Sequence, residues 1–163
     1  MSGDAELSDR GSRGWPRVGL IVIVVAGLAI DAYVHLHLAS PFDVVKSSAL
    51  TQGDLFRVEA ALAIIAALAL AVRPRRWTAL IAFVVSAGGF ALVLLYQYVN
   101  VGAIGPLPNM YDPVSSPEKT LSIVAEGIAA LAALILVVLL QRRTARTGAA
   151  AGAAGPASAR RAG

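Results

Sequence analysis

Four long apolar stretches restrict the fold of this chain more than any other feature. They run from about 18 to 39, 55 to 72, 77 to 99 and 121 to 140, and a helix needs about 20 residues to cross a bilayer. Because lipid offers no hydrogen-bond partner to the backbone, single segments that span it are helical. The sequence therefore predicts an all-α fold, a four-transmembrane-helix antiparallel bundle.

Composition supports one membrane domain with two short tails. Hydrophobic residues make up 57% of the chain and charged residues 15%, which is typical of membrane proteins. We expect a transmembrane domain over residues 17–140. Residues 1–16 and 141–163 are polar or rich in Ala, Gly and Arg, and we expect both to be disordered cytoplasmic tails.

The first apolar stretch has an alternative interpretation as a cleaved signal peptide. Its apolar region is longer than the usual ~7–15 residues of such a peptide. It also carries Asp31, His35 and His37 before any small-residue cleavage site. We therefore expect it to remain in the protein as the first span.

Basic residues predict the orientation of the bundle. In a four-span arrangement, the Arg-rich segments all fall on one side: Arg10, Arg13 and Arg17, then Arg73, Arg75 and Arg76, then Arg142, Arg143, Arg146, Arg160 and Arg161. The other two loops contain Lys46 and Lys119, with Arg57 at a helix start. The positive-inside rule then predicts a multi-pass protein of the inner (plasma) membrane with both termini in the cytoplasm.

Ionisable residues lie in the outer half of the predicted spans. Helical periodicity places Asp31 and His35 on one face of the first span, and Asp31 is roughly 12 Å below Ala39 at 1.5 Å per residue. On each span the polar face is also the face of small residues, where helices approach closely. We expect a polar cluster inside the bundle, formed by Asp31, His35, Glu59 and Glu126, with Arg57, Tyr96 and Asn100 beside them.

Such a cluster needs compensation for its charge. An ionised carboxylate at a helix centre costs about 2.5–3.5 kcal/mol on insertion scales. The candidate cations are Arg57, Lys119 and a protonated His35. We expect that at least one carboxylate is protonated, or that the cluster is hydrated from outside. The alternatives are that Arg57 pairs with Asp54 and that Lys119 is a surface residue at a helix start.

Two helix starts have the spacing of a capping box, Thr51 with Asp54 and Ser115 with Glu118.

Tyr33 and His37 fall on the face opposite Asp31. We interpret them as residues of the interfacial belt rather than as ligands.

The residue types limit the chemistry. Asp31, His35, Glu59 and Glu126 could bind Zn, Fe or Mn, although the Glu-x-x-His pairs of bundle di-metal sites are lacking. The chain contains no Cys, which excludes disulfides, thiolate metal sites and thiol redox chemistry. The cofactor is otherwise left open.

No known reaction motif appears in the sequence. A nucleophile elbow, a P-loop and an HExxH motif are all lacking, so no catalytic residue is assigned and a non-enzymatic role is favoured. The Arg clusters flank the spans without interleaved aromatics, which excludes nucleic acid and favours anionic lipid headgroups. The expected partners are the lipid bilayer and either another membrane protein or a second copy of the chain.

Three stretches resemble small, uncharacterised four-span membrane proteins of high-G+C bacteria. They are GLAIDAYVHLHLA at 27–39, LFRVEAALA at 55–63 and GPLPNMYDPV…PEKTLS at 105–122. The layout is also similar to the DoxX-like group of four-helix proteins, a likeness of topology that implies a link to quinone or thiol redox. The lack of Cys argues against the thiol branch.

Two functional hypotheses follow. The first is a membrane component whose outer polar cluster serves assembly or binds a small ligand or ion. The second is a redox or metal-linked membrane enzyme subunit. Polar side chains that merely hold helices together are an equal alternative to either function.

Overall fold

The part of the chain that the structure describes folds into four α-helices, as the sequence predicts. The computed structural model describes residues 15–47 and 49–154, with side chains as far as Arg142. The helices are α1 (Trp15–Ala39), α2 (Gln52–Val72), α3 (Arg76–Tyr98) and α4 (Pro117–Ala154), with a short 3₁₀ turn at Pro41–Val44. Within these ranges the chain has no β-strand. The prediction of an all-α four-helix bundle is confirmed.

All four helices are long and apolar enough to cross a membrane. The candidate spans are Trp15–Ala39, Gln52–Val72, Arg76–Tyr98 and Pro117–Arg142. Large aliphatic side chains cover the outside of the bundle, among them Val22, Ile65, Leu68, Val84 and Leu131. An apolar outer surface of this kind is suited to lipid. The protein is therefore a multi-pass membrane protein.

The ends of the chain differ from the expected tails in one respect. Helix α4 continues to Ala154, beyond the predicted end of the last span at 140. Ala is the strongest helix former, and residues 148–154 contain several Ala, which explains why the helix extends. The expected tail at 1–16 lies outside the described residues except for Trp15 and Pro16, which begin α1, and residues 155–163 lie outside them entirely.

Small residues allow the helices to pack closely. Helix α1 packs against both α2 and α4, and α3 packs mainly against α4. The buried positions are mostly Ala, with a few larger side chains: Ala60, Ala63, Ala66, Ala129, Ala133, Leu28, Leu70 and Leu136. Without a hydrophobic force between helices in lipid, close packing and polar contacts stabilise such a bundle. The α1–α4 interface is one of these closely packed contacts.

The two capping boxes have different outcomes. The Thr51 hydroxyl accepts a hydrogen bond from the Asp54 N–H at 2.9 Å, and the Asp54 carboxylate accepts one from the Thr51 N–H at 3.1 Å. The first capping box is thus confirmed. The second is wrong by one residue, because α4 begins at Pro117 and the Ser116 hydroxyl accepts the Lys119 N–H at 3.1 Å. Proline at the first helical position explains this choice of cap.

The loops after α1 and after α3 fold back onto the bundle; we call them the outer loops because they lie at the end of the bundle opposite the α2–α3 connection. The Asp112 N–H donates to the Tyr96 carbonyl at 3.1 Å, and the Ser47 hydroxyl donates to the Pro106 carbonyl at 2.7 Å. The second of these bonds joins the loop after α1 to the loop after α3. The two loops therefore form one structured cap at the end of the bundle that holds the polar residues.

The α1–α4 contact depends on Gly27. A Cβ atom at this position would lie 2.8 Å from Ala129 Cβ and 2.9 Å from the Ala125 carbonyl oxygen. We expect Gly27→Ala to lower the free energy of unfolding by about 1–3 kcal/mol, the usual cost of overpacking. Thermal unfolding in lipid nanodiscs measures the effect.

The matched control is Gly19→Ala on the same helix, where an added Cβ meets no atom within 4 Å. It should be neutral or slightly stabilising, since Ala is the better helix former. If both variants unfold at the same temperature, the close α1–α4 packing is contradicted.

Candidate functional site

Helices α1 and α4 bring three ionisable side chains together inside the bundle. Asp31 and His35 lie one turn apart on α1, and Glu126 lies on α4. One possible donor atom from each falls within 4.8 Å of the other two. The exposed fractions of Asp31, His35 and Glu126 are 1%, 7% and 1%. We call these three residues the buried triad.

The packing of the helices explains why the triad forms. Asp31 follows Gly27 by four residues, and Glu126 precedes Ala129 by three. Gly27 and Ala129 lie against each other where the two helices approach closely. Residues three or four positions apart share a helix face, so both carboxylates point into the same interface.

Short contacts hold the triad in place. The Nδ1 atom of His35 lies 2.8 Å from Asp31 Oδ1 and 3.0 Å from the Asp31 carbonyl oxygen. The Ser122 hydroxyl oxygen lies 3.2 Å from Asp31 Oδ1 and 3.4 Å from Glu126 Oε1. Asp31 thus orients the His35 ring, and Ser122 bridges the two carboxyl groups.

Hydrogen-bond donors are scarce in the triad. A serine hydroxyl has one hydrogen, so Ser122 donates to either Asp31 or Glu126 at any moment. The Oε2 atom of Glu126 is buried and has no hydrogen-bond partner among the described residues. A buried unsatisfied carboxylate oxygen is costly and calls for a physical explanation.

Glu59 on α2 lies beside the triad rather than within it. The compact donor group contains Asp31, His35 and Glu126 without Glu59. A Cβ atom at Gly89 on α3 would lie 2.6 Å from Glu126 Oε1 and 3.2 Å from Glu59 Oε1. Gly89 therefore makes room for both glutamates, and Glu59 is half-buried on the outer side of the triad.

Arg57 does not join the cluster, in contrast to the expectation that it lies with the polar residues. Its guanidinium contacts Asp43 Oδ2 at 2.8 Å and Asp54 Oδ1 at 3.2 Å, and its side chain is 42% exposed. Hydrogen bonds from Arg57 lower the pKa of the Asp43 carboxyl. The alternative pairing with Asp54 is observed, with Asp43 as an additional partner that the sequence did not indicate.

Lys119 is not the surface residue that its position at a helix start suggested. Its side chain is 16% exposed. The Nζ atom donates to Asp112 Oδ2 at 2.8 Å, to the Asp112 carbonyl at 2.7 Å and to the Val114 carbonyl at 2.6 Å. All three ammonium hydrogens therefore have acceptors in the outer loop, and Lys119 fastens that loop to α4.

The remaining polar predictions divide between the bundle interior and the surface. Tyr96 is half-buried and lines the cavity described below. Asn100 is exposed and accepts hydrogen bonds from Gly102 and Asn109 within its own loop, so it is not part of the cluster. Tyr33 is 66% exposed and stacks on His37 with ring centroids 6.0 Å apart.

A cavity of about 320 Å³ lies against the triad in the outer half of the bundle. His35, Glu59 and Ser122 form its polar base, next to Gly89. Its walls are largely apolar and include Leu38, Phe42, Leu55, Phe56, Leu92 and Val93. Leu107 and Met110 of the folded-back loop contribute to its outer rim. A mostly apolar cavity with a few convergent polar groups is typical of small-molecule sites.

Val58 on α2 and Leu92 on α3 both line the cavity. Both side chains are also largely exposed, by 56% and 50% respectively, so the cavity has exposed residues in its wall on these two helices.

Sequence reasoning did not assign Gln97 and Asp112 to the site, yet both line the cavity. Gln97 Nε2 donates to the Ser115 hydroxyl at 3.3 Å, while its buried Oε1 lacks a partner among the described residues. The available signal was a polar residue at the end of a span, followed by a loop rich in Pro. This pattern does not predict the position of the loop on the bundle, and therefore does not predict that Gln97 and Asp112 line a cavity.

Comparisons with protein-family models, with curated proteins and with solved structures give no match to this chain. The likeness to the DoxX-like group therefore stays a prediction. The case for function depends on the geometry of the site.

Gly89 offers a test of this geometry. We expect Gly89→Ala to displace the Glu126 and Glu59 carboxylates, because its Cβ would lie 2.6 Å and 3.2 Å from their Oε1 atoms. The free energy of unfolding should fall by about 1–3 kcal/mol. In ¹⁵N-histidine NMR spectra, the ring signals of His35 should shift, whereas those of the exposed His37 should not.

The neighbouring Gly88→Ala variant is the control, since an added Cβ there meets no atom within 4 Å. Unchanged His35 signals in Gly89→Ala, or equal shifts in both glycine variants, would show that α3 does not pack against the carboxylates as described.

Proposed function

We propose that this protein binds a small amphipathic molecule from the membrane, with a cationic or hydrogen-bond-donating end group. The observation that supports this most directly is the apolar cavity whose base is formed by Glu59 and His35, with Asp31 and Glu126 behind them. On this proposal the protein is a binding protein rather than an enzyme.

The balance of charge in the cluster favours a cationic ligand. Glu59 lines the cavity, and the carboxyl groups of Asp31 and Glu126 lie next to His35 behind it. Arg57 is paired with Asp43 and Asp54. Lys119 also lines the cavity, but its ammonium group is already paired with Asp112 and two loop carbonyls. A carboxylate in a low-dielectric site attracts an ammonium group more strongly than it does in water.

The walls of the cavity favour an apolar body on the same ligand. Phe42 and Phe56 contact each other with ring centroids 5.2 Å apart, and the Phe56 ring meets His35 edge-on at 5.1 Å. These rings lie beside the Leu and Val side chains of the cavity. Because the ligand comes from lipid, such walls accept its alkyl body without loss of an apolar environment, and van der Waals packing against them contributes to binding.

Pure structural support between helices accounts less well for these features. Polar residues that hold helices together satisfy one another's hydrogen bonds. Here Glu126 Oε2 and Gln97 Oε1 are buried without partners among the described residues. A filled interface would also leave no cavity beside the carboxylates.

A head-group series tests the proposal. We expect decylamine to raise the melting temperature of the protein in nanodiscs saturably, decanol to raise it less, and decanoate to leave it unchanged. The order follows from the attraction of Glu59 for a cation and its repulsion of an anion. Glu59→Gln should remove the advantage of the amine over the alcohol.

Two tryptophan variants on α3 control for effects on the lipid. Val93→Trp fills the cavity and should abolish the response, because Val93 lines it. Val84→Trp adds the same side chain on the lipid-facing surface, where Val84 is 59% exposed, and should retain the response. Identical behaviour of the amine, the alcohol and the carboxylate would refute the proposal.

The alternative, a redox or metal-linked membrane enzyme subunit, has support in one feature. This is the donor group of the buried triad, which combines an imidazole with two carboxylates. A redox reaction would need a redox cofactor or substrate as well. Assembly with another membrane protein or with a second copy also remains a prediction.

We also propose that the cavity faces the outside of the inner (plasma) membrane and that both termini are cytoplasmic. The support is the positive-inside rule applied to the Arg-rich segments. Because the chain has no Cys, single substitutions give a clean test. In intact cells, a membrane-impermeant maleimide should label Ala103→Cys and should label Thr147→Cys only after permeabilisation. The reverse pattern would invert the topology.

A further inference from the structure

We propose that Asp31, His35 and Glu126 form a binding site for one divalent transition-metal ion of the Zn²⁺ or Mn²⁺ type. The site shares His35 with the cavity, and its occupancy by an ion does not depend on the proposed amphipathic ligand. Glu59 is left free to face the cavity.

The spacing of the donor atoms suits one ion. The three donors lie within 4.8 Å of one another, whereas ligands at 2.0–2.2 Å from a tetrahedral ion are about 3.5 Å apart. His35 Nδ1 and Asp31 Oδ1 are 2.8 Å apart, so the side chains would have to turn to hold an ion between them. Imidazole with carboxylate favours Zn²⁺, Mn²⁺ or Fe²⁺, and the lack of Cys in the chain excludes a thiolate site.

An independent observation points to a missing partner. Glu126 is 1% exposed, and its Oε2 atom has no hydrogen-bond partner among the described residues. The other carboxyl oxygen of Glu126, Oε1, lies 3.4 Å from the Ser122 hydroxyl oxygen. A metal ion among the three donors would satisfy Oε2, and no donor among the described residues does so.

The charge supports a divalent ion. Two carboxylates and a neutral imidazole balance the charge of one M²⁺, so an ion bound by the triad leaves no net charge inside the bundle. The ion also explains why no Arg or Lys among the described residues pairs with the triad.

The surroundings of the triad supply the supporting contacts that metal sites require. Ser122 lies 3.2 Å from Asp31 Oδ1, and such contacts fix the orientation of metal ligands. His35 and Ser122 also line the cavity, which gives an ion a route to the triad. A metal site needs both an outer shell of this kind and an entry path.

The test measures metal binding to the full, tag-free chain in nanodiscs after treatment with a chelator. Titrated Zn²⁺ should bind saturably with one ion per chain by elemental analysis. Mn²⁺ should compete for the same site and lose its free-ion EPR signal on binding. X-ray absorption of the Zn²⁺ form should show one imidazole and otherwise oxygen ligands.

Substitutions of the proposed ligands test which residues bind the ion. Glu126→Gln and Asp31→Asn should each weaken Zn²⁺ binding at least tenfold, whereas Glu118→Gln on the same helix should bind as the parent does. Glu59→Gln should bind Zn²⁺ normally while losing its preference for decylamine, which separates this proposal from the proposed function. Circular dichroism and gel filtration verify the fold of each variant.

Two results would overturn the proposal. One is no saturable Zn²⁺ binding by the unmodified chain, a result that needs no variant to fold. The other is a folded Glu126→Gln variant that binds Zn²⁺ as tightly as the parent.

Discussion

The close contact between α1 and α4 is the constraint on which the rest of the structure depends. Gly27 lets α1 approach Ala129 and the Ala125 carbonyl so closely that an added Cβ would lie within 3 Å of both. This approach brings Asp31 and Glu126 into one buried interface with Ser122 between them. Gly89 on α3 leaves room for the same carboxylates from the other side. Small residues thus determine where the charged residues meet.

The outer loops determine which charges remain unpaired. Arg57 is held by Asp43 and Asp54, and Lys119 by Asp112 and loop carbonyls. These pairs stabilise the cap over the bundle. Arg57 is thereby held outside the cavity, whereas Lys119 lines the cavity with its charge matched by Asp112. The cluster consequently has a surplus of acceptors and negative groups, next to a cavity with apolar walls. We base the proposal of a binding site on that combination, because helix contacts that satisfy one another leave neither unpaired acceptors nor a cavity.

Much of the fold could be predicted from the sequence, because length and hydropathy dictate four helices in lipid. Helical periodicity also indicated that Asp31, His35 and Glu126 face inward. The positions of Arg57 and Lys119 could not be obtained in this way, since each depends on an acid, Asp43 or Asp112, in an irregular loop. The cavity was equally inaccessible, because it arises from the way the loop with Leu107 and Met110 folds over α2 and α3.

We propose that a non-protein partner compensates the buried acidic cluster. Native mass spectrometry of the protein released from membranes in nanodiscs weighs whatever the chain retains. We expect a mass above that of the chain alone, from a metal ion, a small molecule or both. The excess should disappear in a folded Asp31→Asn/Glu126→Gln/Glu59→Gln variant. If the unmodified, folded protein carries no additional mass, the buried cluster has no such partner.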